Sequence, residues 1–227
     1  MGIAAELGKN RHPGGMDGRD FDRGVAGASG RREHKWRSAK RKGRAPGEEA
    51  TWATGAVGEE ILAVYLGRRF ADSEVIVLHD RRMPGGYGNI DHLAIAPSGV
   101  HVIDAKRYKG EVRVRRPFLI REARLVVGGR DQTTLVGKLA RQVKAVRSAV
   151  DSAGLQQAPV HGCFCFVDPQ GHAGGSGGLP LLRTLRIGGY SLLSPRKLAR
   201  RLKRQGELGP ERRLLVAKAL ARRFPAA

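Results

Sequence analysis

The sequence predicts an α/β domain in which a central sheet is flanked by helices, and three observations carry that expectation. Residues 88–106, GNIDHLAIAPSGVHVIDAK, hold two apolar runs, 90–96 and 100–105, separated by Pro97, Ser98 and Gly99, which is the pattern of a β-hairpin. Apolar side chains recur at helical spacing in 51–70 (Ile61, Leu62, Tyr65, Leu66) and again in 132–150 (Leu135, Leu139, Val143, Val146, Val150). A third apolar run, PVHGCFCFV at 159–167, reads as another buried strand.

Composition narrows the class of partner. The chain has 227 residues, enough for one core with extensions, and carries a formal charge of +21 with a pI of about 11.2. That excess favours nucleic acid first, an anionic membrane surface second and acidic proteins third. Aromatic residues make up only 5%, so phosphate contact suits the chain better than base stacking. No apolar run approaches the roughly 18 residues of a membrane span, and the N-terminus lacks the apolar core of a secretory signal. A soluble, cytoplasmic protein is expected, without a membrane partner, with association with the nucleoid and a homo-oligomer left open. Cys163 and Cys165 lie two apart on one strand, poorly placed to bridge each other, so reduced thiols are expected.

In chain order, residues 1–50 are rich in Gly, Arg, Lys and Asp without apolar periodicity, and read as a disordered basic arm. The block 31–44, RREHKWRSAKRKGR with Trp36, is either an electrostatic arm for phosphates or a solvated tail. The α/β domain is assigned to 51–193. In its first helix Glu59 borders the apolar stripe while Glu60 points outward. Gly55 and Gly58 each weaken a helix by roughly 1 kcal/mol relative to alanine, which is easier to understand if the helix start packs closely against something. Glu59 itself is also an ordinary first-turn glutamate favoured by the helix dipole. A strand over 74–79 follows, then the glycine-rich loop 83–88, which has no Gly-Lys-Ser/Thr and is therefore not a phosphate-cradling loop.

The hairpin comes next. Alternation puts Val100, Val102, Asp104 and Lys106 on one face of the second strand, with Asp104 and Lys106 roughly 7 Å apart. A turn pairing Ala96 with Gly99 sets Asp91 opposite Asp104, whereas a three-residue loop shifts that register by one. Two aspartates and a lysine converging from apolar strands are costly unless metal or hydrogen bonds compensate them, so they mark a candidate site. After the hairpin, Val112 and Val114 alternate with Arg113 and Arg115 in a half-exposed strand with a basic outer face, and 124–127 reads as another short strand. On the second long helix Gln142 lies in or beside the apolar stripe and needs a partner, at a site or on the backbone. His161, Cys163 and Cys165 share a face of the last apolar strand, but a fourth ligand and the paired spacing of a zinc site are missing. Beyond the Gly-rich loop 168–180, residues 186–193 read as a short edge strand. Two basic helices over 194–227, one opened by Ser194 and Pro195, complete the chain.

Taken together, GAVGEEILAVYL (55–66), GNIDHLAIAPSGVHVIDAKRYKGEV (88–112) and the helix bearing Gln142 resemble the nuclease-related domain (NERD) family, within the restriction-endonuclease-like PD-(D/E)xK superfamily. The likeness covers about 51–168 and implies a mixed central sheet flanked by helices. It also implies a metal-dependent nuclease acting on DNA. In that reading Glu59, Asp91, Asp104, Lys106 and Gln142 form the catalytic set. Glu59, Asp91 and Asp104 hold magnesium or manganese, Lys106 assists the attacking water or stabilises developing charge, and Gln142 supports the site. Arg107, Lys109, Arg113, Arg115, Lys138 and Arg141 are the expected nucleic-acid contacts. Two alternatives stay open: a module of the same fold that grips nucleic acid without cutting, and an interaction domain whose acidic cluster is a structural ion network.

Overall fold

The computed structural model describes residues 22–28, 47–86, 88–116, 122–168, 177–180 and 183–227, with side chains of the first helix described from Gly55 onward. Among the described residues, four α-helices and nine strands follow in the order α1 (Gly47–Arg69), β1 (Ile76–Arg82), β2 (Asn89–Ala96), β3 (Gly99–Lys106), β4 (Val112–Arg115), β5 (Arg124–Val127), β6 (Arg130–Asp131), α2 (Thr134–Ser152), β7 (Val160–Phe166), β8 (Leu185–Ile187), β9 (Tyr190–Leu193), α3 (Pro195–Leu202) and α4 (Pro210–Arg223). Six strands form one sheet in the order β1-β2-β3-β7-β9-β8, while β4, β5 and β6 make a small second sheet. The central sheet is mixed, because β3, β7 and β9 run parallel and the remaining pairs are antiparallel. Among the described residues no helix is long and apolar enough to cross a membrane.

Burial on both faces explains the near-continuous apolar strands. Leu93, Ile95, Val100, Val102 and Phe164 point into a core shared with Leu139 and Val146 of α2 and Val216 and Leu220 of α4. Ala94, Ala96, Ile103, Cys163 and Cys165 point the other way, against Leu62 and Leu66 of α1 and Leu198 and Leu202 of α3. The two cysteines are free and buried, as core residues of β7. His161 on the same strand turns its Nε2 to the Ser98 carbonyl at 3.3 Å.

Several expected boundaries shift. Residues 186–193 are not one edge strand but a hairpin, with Ile187 facing Tyr190 across Gly188 and Gly189, both at positive φ. A two-residue glycine turn supplies the left-handed conformations that such hairpins require. The first strand runs on through His79, Asp80, Arg81 and Arg82, because each polar residue there finds a particular partner. Arg81, 1% exposed, donates to the carbonyls of Phe224 (2.7 Å), Asp22 (2.8 Å) and Ala221 (3.2 Å).

The expected arm is only partly in view. Most of it, including 31–44, lies outside the described residues, but 22–28 is seated on the domain. His79 N–H donates to the Arg23 carbonyl at 2.6 Å, and a Cβ on Gly24 would stand 2.0 Å from the His79 carbonyl oxygen. Disorder is therefore the wrong expectation for this piece.

A candidate active site at the splayed end of two strands

The hairpin register is the one with Ala96 opposite Gly99, and paired residues continue to His92 opposite Ile103. One step further the strands part. Ala105 N–H donates to the Asp91 carboxylate, to Oδ2 at 2.8 Å, in place of a backbone carbonyl. Asp91 thus bridges the gap at the C-terminal end of β3, beside Asp104. His92 faces away, as alternation requires, and its Nδ1 lies 2.8 Å from His79 Nδ1.

Asp104 is 5% exposed and forms an ion pair with Lys106, the same-face neighbour two residues on. The Lys106 ammonium also donates to the Ala105 carbonyl at 3.2 Å. Burial works to lower the lysine pKa, but Asp104 and then Asp91 outweigh it and hold the group above its ordinary value. Lys106 is therefore a cation at every physiological pH.

Glu59 reaches the cluster from α1, and Gly58 is what lets the helix come so close. A Cβ there would stand 2.9 Å from Arg107 Cβ, just past the end of β3. Gly55, by contrast, has nothing within 4 Å of its Cβ position, so the close-packing expectation holds for one glycine and not the other. Burial and the nearby Asp80 push the Glu59 pKa up to about 7, with Asp104 adding to the rise and Lys106 and the Gly27 N–H opposing it. Asp91 is raised well above its ordinary range by burial, Glu59 and Asp104, again opposed by Lys106 and the Ala105 N–H. Like charges crowd here.

Asp80 is the member that sequence reading passes over. It is 1% exposed, adopts φ 45°, and accepts from Asn89 Nδ2 at 3.0 Å. A left-handed aspartate is uncommon but tolerated, because its short side chain bonds locally. The available signal was a lone carboxylate ending an apolar run just ahead of a glycine-rich loop.

Gln142 does not touch the carboxylates. Its Nε2 donates to the Asn89 carbonyl at 2.8 Å, and its Oε1 is buried without a partner among the described residues. It anchors the start of β2, two residues before Asp91. Of the expected nucleic-acid contacts, Lys109, Arg113, Arg115, Lys138 and Arg141 are exposed and Arg107 is half-buried. Arg113 is tied to Glu111 at 2.6 Å, and Arg115 stands directly opposite Arg124 on β5.

Could such a cluster hold a divalent cation? Its donors are carboxylate oxygens, the ligands a hard cation prefers, and their mutual repulsion is what a cation relieves. Among the described residues, however, no group of three or more His, Cys, Asp or Glu is set to hold a metal ion. That arrangement still fits magnesium, which keeps several waters and takes one or two carboxylates together with substrate phosphates. Asp91 and Asp104, with Glu59 beside them, are the carboxylates that would be available to such a cation.

The model of one family, described as nuclease-related domain, matches residues 54–167, half of the chain. No curated protein and no solved structure matches.

Proposed function

The chain belongs to the nuclease-related domain (NERD) family, and from that premise we propose that it hydrolyses phosphodiester bonds of DNA with the help of a divalent cation. The observation that carries the proposal is the end of β3, where Asp104 pairs with a permanently charged Lys106 and Asp91 takes the N–H of the residue between them. Two carboxylates and an ammonium are thereby gathered where β2 and β3 part, the kind of pre-organisation that phosphoryl chemistry needs.

In this reading Asp91 and Asp104 hold magnesium or manganese. The cation, when bound, would lower the pKa of a water and polarise the phosphate. Lys106 presents its ammonium to the negative charge that builds on the phosphate oxygens. Glu59, a carboxylate held beside the cluster with its pKa raised while no cation is bound, is suited to accept the proton of the attacking water. Burial and then Asp80 raise that pKa, and Gln142 keeps the start of β2 in place through Asn89.

Cleavage of plasmid and linear DNA with magnesium, manganese or EDTA tests the proposal. Metal-dependent cutting is expected in the wild type and is lost in Asp104→Asn and Lys106→Ala, with DNA binding largely retained. Unchanged cutting by Asp104→Asn sinks the site assignment. No cutting by the wild type, together with salt-sensitive binding by all three proteins, would point instead to a module that grips without cleaving.

A further inference from the structure

Helix α3 and the two residues that follow it carry six cations, and they divide into two groups. Lys197 and Arg201 are tied inward: the lysine donates to the carbonyls of Pro180 and Arg183, and the arginine to Ser191 Oγ at 2.8 Å. Arg196, Arg200, Lys203 and Arg204 are exposed, and none has a carboxylate partner among the described residues. Their spacing of i, i+4, i+7 and i+8 places them along one face, opposite Leu198, Ala199 and Leu202, which are buried against the sheet and α1. Like charges at i, i+4 destabilise a helix. A short helix with such a face and no interleaved acid is electrostatically incomplete by itself.

Its position gives the stripe a direction. In the sheet Ala105 faces Cys165 and Cys165 faces Leu193. Ser194, the N-cap of α3, therefore lies in the row of Lys106, two strands away, or roughly 10 Å at the usual strand spacing. The cationic face begins at the edge of the sheet that carries the candidate site and runs away from it.

We propose that the outer face of α3 binds the phosphodiester backbone of the nucleic acid that flanks the cleavage position, as a sequence-independent contact of about three phosphates. This rests on the nuclease reading for its substrate. Phosphates match the stripe in sign, and a guanidinium group can hold two phosphate oxygens at once.

The test compares the full chain with Arg196→Gln/Arg200→Gln/Lys203→Gln and with a charge-matched control on α4, Lys218→Gln/Arg222→Gln/Arg223→Gln. Affinity for a labelled duplex is measured across salt concentrations with EDTA present, so that binding is read without cleavage. At about 0.9 per phosphate neutralised, the α3 variant should lose about 2–3 from the slope of log affinity against log salt, and the control nothing. Equal losses in both variants, or none in the α3 variant while the wild type keeps a steep slope, overturn the α3 assignment and leave the nuclease reading standing. A wild type that does not bind duplex but binds phosphatidylserine vesicles through the same three cations overturns both, and identifies a lipid surface.

Discussion

Replacing Glu59 by glutamine should stabilise this protein by an amount that grows as pH rises from 4.5 to 7 and is constant above. In the folded state the Glu59 pKa is raised from 4.5 to about 7. A carboxyl whose folded pKa exceeds its unfolded value holds a proton in the fold that the open chain has released. Its contribution is most favourable below pH 4.5, fades as pH rises through the window from 4.5 to 7, and is a constant penalty above it. At about 1.4 kcal/mol per pKa unit the ceiling is about 3 kcal/mol, which water at this half-buried side chain reduces to about 2 kcal/mol. Glutamine keeps the shape and the acceptor for the Gly27 N–H but carries no charge. Glu59→Gln should therefore melt about 4–8 °C above the wild type at pH 8 and alongside it at pH 4.5. Thermal melts followed by circular dichroism in low salt and EDTA read this directly, and the comparison at each pH cancels every other titrating group. A variant no more stable than the wild type at pH 8 would refute the crowding of Glu59 against Asp80 and Asp104. Adding magnesium at pH 8 should raise the wild type more than the variant, a readout independent of cleavage.

Two further outcomes follow from the packing. Gly58→Ala gains about 1 kcal/mol of helix propensity but forces α1 off Arg107 at a cost of about 1–3 kcal/mol, so urea melts should show no gain or a net loss, whereas Gly55→Ala, with open space around it, should be stabilised by up to about 1 kcal/mol. Arg81→Met leaves the carbonyls of Asp22, Ala221 and Phe224 without their buried donor and should cost about 2–4 kcal/mol, with faster amide exchange at 22–28 and 221–227; unchanged exchange there would show that the guanidinium is not what holds those segments.

Much of the site was legible because strand geometry is periodic. Once Ala96 is set against Gly99, Asp104 and Lys106 must share a face, Asp91 must come beside them, and His92 must turn away. Glu59 was visible by its place next to a helical stripe, and Gly58 by the oddity of a glycine in that helix. What escaped were features fixed by partners distant in sequence. Arg81 looks like a loop residue until the end of α4 and the segment before α1 arrive to satisfy it, and Asp80 looks like one until Asn89 meets it from across the glycine-rich loop. Gln142 could be seen to need a partner, but only the crossing of α2 over the sheet names Asn89. The Gly188-Gly189 turn was legible and misread, since a short polar-flanked run looks like one strand when its turn contains no asparagine or aspartate.

The way β3 is held also sets an order of events in folding. Its pairing with β2 is local and closes through a two-residue turn, while its parallel pairing with β7 must wait for α2 to fold back across the sheet. Short loops close quickly and distant parallel partners slowly. Asp91, Asp104 and Lys106 can therefore meet in an early hairpin that is still hydrated on both faces, where gathering like charges costs little. The electrostatic penalty then falls late, as β7 and α1 close over the hairpin and shed its water. Divalent cations should accordingly act mainly on the unfolding rate, leaving the rate of folding nearly unchanged.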